Sequence, residues 1–267
     1  MTKERRRYVQ GLAGQVHIRE YLADGGEGRP LLLVHQSPWS SLQYHAVAPR
    51  LAAQGFHTIA PDTPGHGLSD PLTPSIAAYA DNLARVLDAL SLPRVAIAGH
   101  HTGAMVALCF AARHPDRTSA LITDNAPLYT PEERAERLSR PSQHLAIKPD
   151  GSHFTDRWAF MRRLADPAMT DASLHLAVLT FFNNALVADD PGHFAAFTHD
   201  LAADVPGVCC PTLVIASRTD PLHPHAARFR ALRPDFHAAE FPGGTATVLD
   251  SPDLWAETVG SFLKAHI

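Results

Sequence analysis

The chain has 267 residues, 45% of them hydrophobic and 19% charged, with a formal net charge of −4, so no basic face is forced on it and a nucleic-acid partner is not expected. Its first residues are too charged for a signal peptide, and no apolar run is long enough to cross a bilayer, which excludes a membrane role from the expectation. Three cysteines, two of them adjacent, do not make a disulfide framework and suit a reducing, cytoplasmic setting.

Short apolar runs alternate with stretches of helical periodicity, the pattern of a mainly parallel sheet covered by helices. The Arg5-Arg6-Arg7 run reads as a solvated tail, ahead of strands expected at 7–10 and 15–23. A strand at 30–35 runs into His35-Gln36-Ser37-Pro38, followed by a helix at 41–54 and a strand at 57–62. A helix at 75–90, a strand at 94–100, a helix at 102–114 and a strand at 119–125 continue the alternation. From 128 to 205 the rhythm breaks: no convincing strand is found, but helical patterns cover 131–140, 155–165, 171–188 and 192–203, with Pro131, Pro167 and Pro191 near helix starts. After Pro206-Gly207 strands resume at 211–217 and 236–241, with helices at 223–232 and 253–265. The economical reading is one α/β core domain, residues 1–127 and 206–267, carrying a helical cap at 128–205.

One stretch stands out. In Gly99-His100-His101-Thr102-Gly103 a strand enters one glycine, a helix leaves through another, and a histidine occupies the tip. Together with "LLLVHQSPWSS", "IAPDTPGHGLSD", "LVIASRTDPLHP" and "FPGGTATVLDSPDLW", in that order along the chain, this stretch resembles the α/β-hydrolase superfamily over nearly its whole length. The resemblance implies an eight-stranded, mostly parallel sheet with an inserted helical cap. It makes the glycine-framed turn a nucleophile elbow, in which the tip side chain projects above the carboxyl end of the sheet. It also implies an oxyanion hole built from the backbone N–H of Thr102 and one from the Gln36–Ser37 turn, and a catalytic acid at Asp220, with Asp124 as the alternative acid.

Two positions depart from that pattern. The nucleophile position holds His101, and the Asp250-Ser251-Pro252 register puts Thr245 where the resemblance calls for the catalytic histidine. No threonine accepts a proton near neutral pH, so a Ser–His–acid relay is absent at both places. The two changes compensate if the His101 ring reaches into the space left by Thr245 and meets Asp220, giving a two-residue base whose carboxylate fixes the ring's tautomer.

The residues leave three functions open: a hydrolase in which His101 activates water, a lyase, isomerase or cofactor-free oxygenase in which it removes a substrate proton, and a non-catalytic ligand-binding protein. The cap offers Trp158 and Phe181, and the turn Trp39, as lining for a small organic substrate with an apolar or aromatic body, with His35 and Thr245 as polar contacts. His35 is also read as structural, beneath the oxyanion hole, and Ser37 as an alternative nucleophile. No cofactor motif is found. A metal site built from His35, His100, His101, Asp220, His223 and His225 is disfavoured, because no ligand spacing supports it and His100 is expected to point away from His101. The oligomeric state is open, with a homodimer among the options.

Overall fold

The computed structural model describes residues 4–23, 26, 28–140, 147–164, 169–183 and 191–267. Eight strands form one sheet: β1 (Glu4–Gln10), β2 (Gln15–Tyr21), β3 (Arg29–Val34), β4 (Phe56–Pro61), β5 (Val95–His100), β6 (Thr118–Asp124), β7 (Thr212–Ser217) and β8 (His237–Phe241). Their spatial order is β1-β2-β4-β3-β5-β6-β7-β8, so β1 and β8 are free edges. The pairs β1–β2 and β2–β4 are antiparallel and the remaining pairs parallel. This is the α/β-hydrolase architecture expected from the residues.

The period of two explains why the central strands read as unbroken apolar runs. In β3, Leu32 and Val34 join one core and Leu31 and Leu33 the other; in β5, Ile97 faces one side while Ala96 and Ala98 face the opposite one. The first face is covered by α2 (Ile76–Ala89) and α3 (Thr102–Arg113), the second by α1 (Val47–Ala53) and α11 (Pro252–His266). Both faces being buried, no polar side of the sheet remains to break the apolar pattern.

Between β6 and β7 the described residues contain helices and no strand: α4 (Pro131–Ser139), α5 (Ser152–Leu164), α6 (Asp171–Asn183), α7 (Pro191–Thr198) and α8 (Leu201–Asp204). Helix α9 (His225–Leu232) follows β7 and α10 (Thr247–Asp250) follows β8. The expected helix ends at 165 and 184–188, and Pro167, lie outside the described residues. No helix among the described residues is long and apolar enough to cross a membrane.

Three local expectations are corrected. The arginine run is not a tail: Arg5 and Arg7 lie on one face of β1 and both donate to the buried carboxylate of Glu20 on β2, with Nε–Oε2 distances of 3.0 and 2.8 Å. Two arginines and His57 offset the burial that would raise this carboxyl, and its pKa falls to about 2. The helix expected at 41–54 is a 3-10 turn, Ser41–Tyr44, followed separately by α1. Gln43 and Tyr44 turn inward there, and the Tyr44 hydroxyl donates to Val34 O at 2.8 Å. The helix expected at 192–203 divides into α7 and α8 around His199 and Asp200, where His199 Nε2 instead meets Asp204 Oδ2 at 2.7 Å.

Candidate active site

The turn from β5 into α3 carries the first candidate residue. His101 adopts φ 49° and ψ −117°, a left-handed conformation that is costly for a residue with a Cβ and survives only where neighbours over-determine it. Two restraints are visible. The His101 N–H donates to Asp124 O at 2.9 Å, and glycines stand where the backbones crowd. A Cβ on Gly99 would collide with the Gly103 carbonyl, and one on Gly103 with the carbonyl oxygens of Val34 and His35. Those contacts are with backbone, which cannot swing aside.

The turn lifts the His101 ring off the strand toward the loop after β7. His101 Nε2 lies 2.8 Å from Asp220 Oδ2, with the ring about one-fifth exposed (19%) and the carboxylate sealed. Asp220 Oδ1 accepts the Leu222 N–H at 2.7 Å, which fixes the carboxylate plane. Burial would raise the Asp220 carboxyl; the charge and hydrogen bond of His101 and the Leu222 donor outweigh it and hold the pKa at about 2. Asp220 is therefore ionised at neutral pH and accepts the proton on Nε2 of the His101 ring.

His100 is the main surprise. Strand alternation puts neighbouring side chains on opposite faces, but the positive φ of His101 ends the pleat, and the two rings stack with centroids 4.4 Å apart and planes 18° from parallel. His100 does not point away from His101. Its ring is fully buried, and burial, then the neighbouring His101, pushes its pKa well below the ordinary range.

The oxyanion turn is also rearranged. The Gln36 N–H is not free to bind an oxyanion, because it donates to Gln43 Oε1 at 2.9 Å. The backbone N–H groups of Ser37 and Thr102 donate to no other described residue. The Ser37 hydroxyl is packed directly against Gly192 at the start of α7, where even a methyl group on Gly192 would not fit.

His35 is occupied on both sides. The Thr63 N–H donates to its Nε2 at 2.8 Å, so Nδ1 carries the proton and donates to Gln36 O at 2.7 Å. Burial and the nearby His66 lower its pKa to about 4, leaving a neutral ring that ties two loops together and has no nitrogen left for a substrate. Asp124, the alternative acid, is buried at the end of β6 with Oδ2 accepting from Trp255 Nε1 at 2.8 Å and Oδ1 from Asn125 Nδ2 at 3.0 Å. Its carboxylate does not bond the His101 ring; that of Asp220 does.

Trp39 packs with Met169, Leu174, Ala177 and Ala246, joining the turn to α6 and to the loop before α10. Phe181 lies beneath the Arg157 guanidinium, 3.2 Å from the ring centroid, and edge-on to Phe182, within the helical segment itself. Trp158 on α5 is 37% exposed. Thr245 sits half-buried in the turn before α10.

A cleft of about 380 Å³ between α9 and β8, lined by Val214, His223, Phe229, Arg230 and Glu240 among others, contains neither member of the His101–Asp220 pair. The site is located by chemistry, not by that concavity. Among the described residues, the metal-type side chains whose ligand atoms lie within 4.8 Å of one another are Cys109, His199 and Asp204; none of the histidines weighed from the sequence belongs to that group.

The sequence signals for His101 and Asp220 were direct, a glycine-framed tip and a carboxylate after a strand. Gln43 and His100 were missed as a linked pair, since a glutamine inside a helical pattern carries no positional signature.

Comparison with known proteins bears on the fold and the family. The first curated relatives include an uncharacterized protein of Mycobacterium tuberculosis (strain ATCC 25618 / H37Rv), 40% identical over 103 residues, a match covering 38% of this chain and 30% of the relative. The chain thus spans about a third of the length of those relatives. A 2-hydroxymuconate semialdehyde hydrolase of Pseudomonas sp. (strain CF600) is 28% identical over 221 residues, covering 78% of this chain and 76% of that protein. Among solved structures, the enol-lactonase from Burkholderia xenovorans LB400 superposes with a TM-score of 0.75 at 20% identity, covering 97% of this chain and 100% of that one, a likeness of fold. The sequence profile described as alpha/beta hydrolase fold matches residues 29–252, and the chain belongs to that family.

Proposed function

We propose that the protein is a hydrolase in which His101 and Asp220 form a two-residue general base. The observation that carries this reading is the 2.8 Å contact between the elbow ring and the carboxylate. The orientation is the reverse of a serine triad, where the acid faces Nδ1 and Nε2 does the proton transfer. Here Asp220 holds Nε2–H, and Nδ1 takes a proton from water. That water attacks the substrate carbonyl, the developing oxyanion is received by the N–H groups of Thr102 and Ser37, and the imidazolium returns its proton to the leaving group. A positioned base contributes about 10²–10⁴-fold.

The helices between β6 and β7 act as a cap, residues 128–205 on a core of 1–127 and 206–267, over a small organic substrate with an apolar or aromatic body. Trp39 and Trp158 contribute to its lining and Thr245 leaves room beside the ring. The semialdehyde hydrolase likeness supports hydrolysis of a carbonyl compound.

The test is a panel of such carbonyl compounds and esters run in ¹⁸O-labelled water. Expected are product carrying solvent oxygen, loss of turnover in His101→Ala, and no labelling of any serine by an organophosphate. Product formed without solvent oxygen would replace hydrolysis by proton abstraction, and near-full turnover in His101→Ala would remove the elbow histidine from the mechanism.

A further inference from the structure

Behind the ring of His101 lies a sealed chain of polar groups whose hydrogen positions can be worked out. The Gln36 N–H donates to Gln43 Oε1, so the other amide atom of Gln43, 2.9 Å from His100 Nδ1, is its NH₂ and donates. His100 Nδ1 is therefore an acceptor, and in the neutral ring the proton sits on Nε2. That Nε2–H is buried with no hydrogen-bond partner among the described residues and lies 3.9 Å from Asp124 Oδ2. A donor left unpaired beside a carboxyl group in a close-packed interior is a costly arrangement that needs an explanation.

We propose that Asp124 is a positioning residue for the His101–Asp220 base: acting through the stacked His100 ring, its carboxyl group places a second acid behind the ring of His101. The inference rests on the base assigned under Proposed function and adds a second carboxylate to it.

The charges around Asp124 are few. From β5 it meets His100, held neutral by burial, and beyond it His101; from the loop after β7, the carboxylate of Asp220; from α11, the neutral Trp255. Tyr44, from the 3-10 turn, is kept neutral because burial and Asp124 push its phenol well above the usual range. Asn125 links Asp124 to Ser217, both neutral. Burial raises the Asp124 carboxyl to about 7, against the pull of the Trp255 donor and of His101, while the Asp220 charge adds to the rise. Below that pH the group is a neutral acid. Above it a carboxylate stands behind the rings, 3.9 Å from His100 Nε2, and a positive charge on His101 then faces two carboxylates instead of one.

Trp255 is a built-in reporter, because its indole N–H bonds Asp124. In a Trp39→Phe/Trp158→Phe background the remaining tryptophan fluorescence is titrated with pH. Expected are a transition near 7, its disappearance in Asp124→Asn, and a midpoint moved upward by about half a pH unit or more in His101→Gln, where the ring charge is lost. A flat neutral range, or a midpoint unmoved in His101→Gln, overturns the proposal. This readout needs no substrate, so it stands or falls separately from hydrolysis. Once a substrate is in hand, the acid limb of the wild-type pH–rate profile should be steeper than one ionisation and fall to one in Asp124→Asn; an unchanged limb is the second outcome that overturns it. His101→Gln alters a partly exposed side chain, so the fluorescence arm remains decisive if Asp124→Asn fails to fold.

Discussion

Two histidines and two aspartates meet at the carboxyl ends of β5, β6 and β7, and they form two unlike pairs. His101 and Asp220 touch at 2.8 Å with the ring partly open to solvent, and the carboxyl is held at about 2. His100 and Asp124 stand 3.9 Å apart with both side chains sealed, and that carboxyl is pushed to about 7. The residue types are identical, so composition does not separate them. What separates them is the turn at His101, which lifts one ring toward a loop carboxylate and leaves the other in a dry interior. Desolvation dominates where no charged partner is in bonding distance, and the ion pair dominates where one is.

The largest effect is expected from removing the turn itself. In Gly103→Ala the new methyl group meets the carbonyl oxygens of Val34 and His35, and both pairs lose their common frame. Little folded protein, or a melting temperature far below wild type by circular dichroism, is the expected result; a wild-type melt would refute the account of the elbow. Next in size is Asp220→Asn. It should lower turnover by about 10²–10⁴-fold, and adding it to His101→Ala should cost almost nothing more, since the two act as one unit. Steady-state kinetics on the single and double variants measure this directly.

The pairs should also part company in pH–stability profiles. The depressed Asp220 contributes stability above its unfolded pKa of about 3.9, and loses it as pH falls toward about 2, an effect of about 2 kcal/mol. Asp124 has the opposite sign: its raised pKa favours the fold at low pH, and that contribution fades as pH rises through about 7. Urea midpoints across pH should show Asp220→Asn flattening the acid side and Asp124→Asn relatively strengthening the alkaline side. The smallest change is Gln43→Leu, which orphans the Gln36 N–H and releases the His100 tautomer for about 1 kcal/mol. An unaltered urea midpoint in that variant would argue against the network.

The sheet was legible because its central strands are buried on both faces and its turns are punctuated by glycines that only backbone crowding requires. The pairing of His101 with Asp220 followed from the missing histidine at Thr245 and the length of an imidazole. Other features were hidden for physical reasons. Alternation predicted His100 on the far face from His101, and no sequence rule signals that a single positive φ restacks two rings. Gln36 was read as part of the oxyanion hole because its position in the turn was visible but its partner, Gln43, was not. The arginine run was misread because its opposing charge, Glu20, lies on the next strand, and only the β1–β2 register puts Arg5 opposite it.

The open sheet has a further consequence, for the behaviour of many copies rather than one. Its strand β1 stands at one end of the sheet with no strand beyond it among the described residues, and an open edge is the usual template for runaway strand addition. Arg5, Arg6 and Arg7 lie along that edge with side chains 49%, 65% and 40% exposed. A second copy docking there edge to edge would lay its own arginines against these. At the other edge β8 is five residues long, with the Glu240 carboxylate bonded to Arg218 and His223. Like charge guards one end of the sheet, and brevity with a fixed ion pair guards the other, so the fold resists aggregation at the two places where its hydrogen bonding is unfinished.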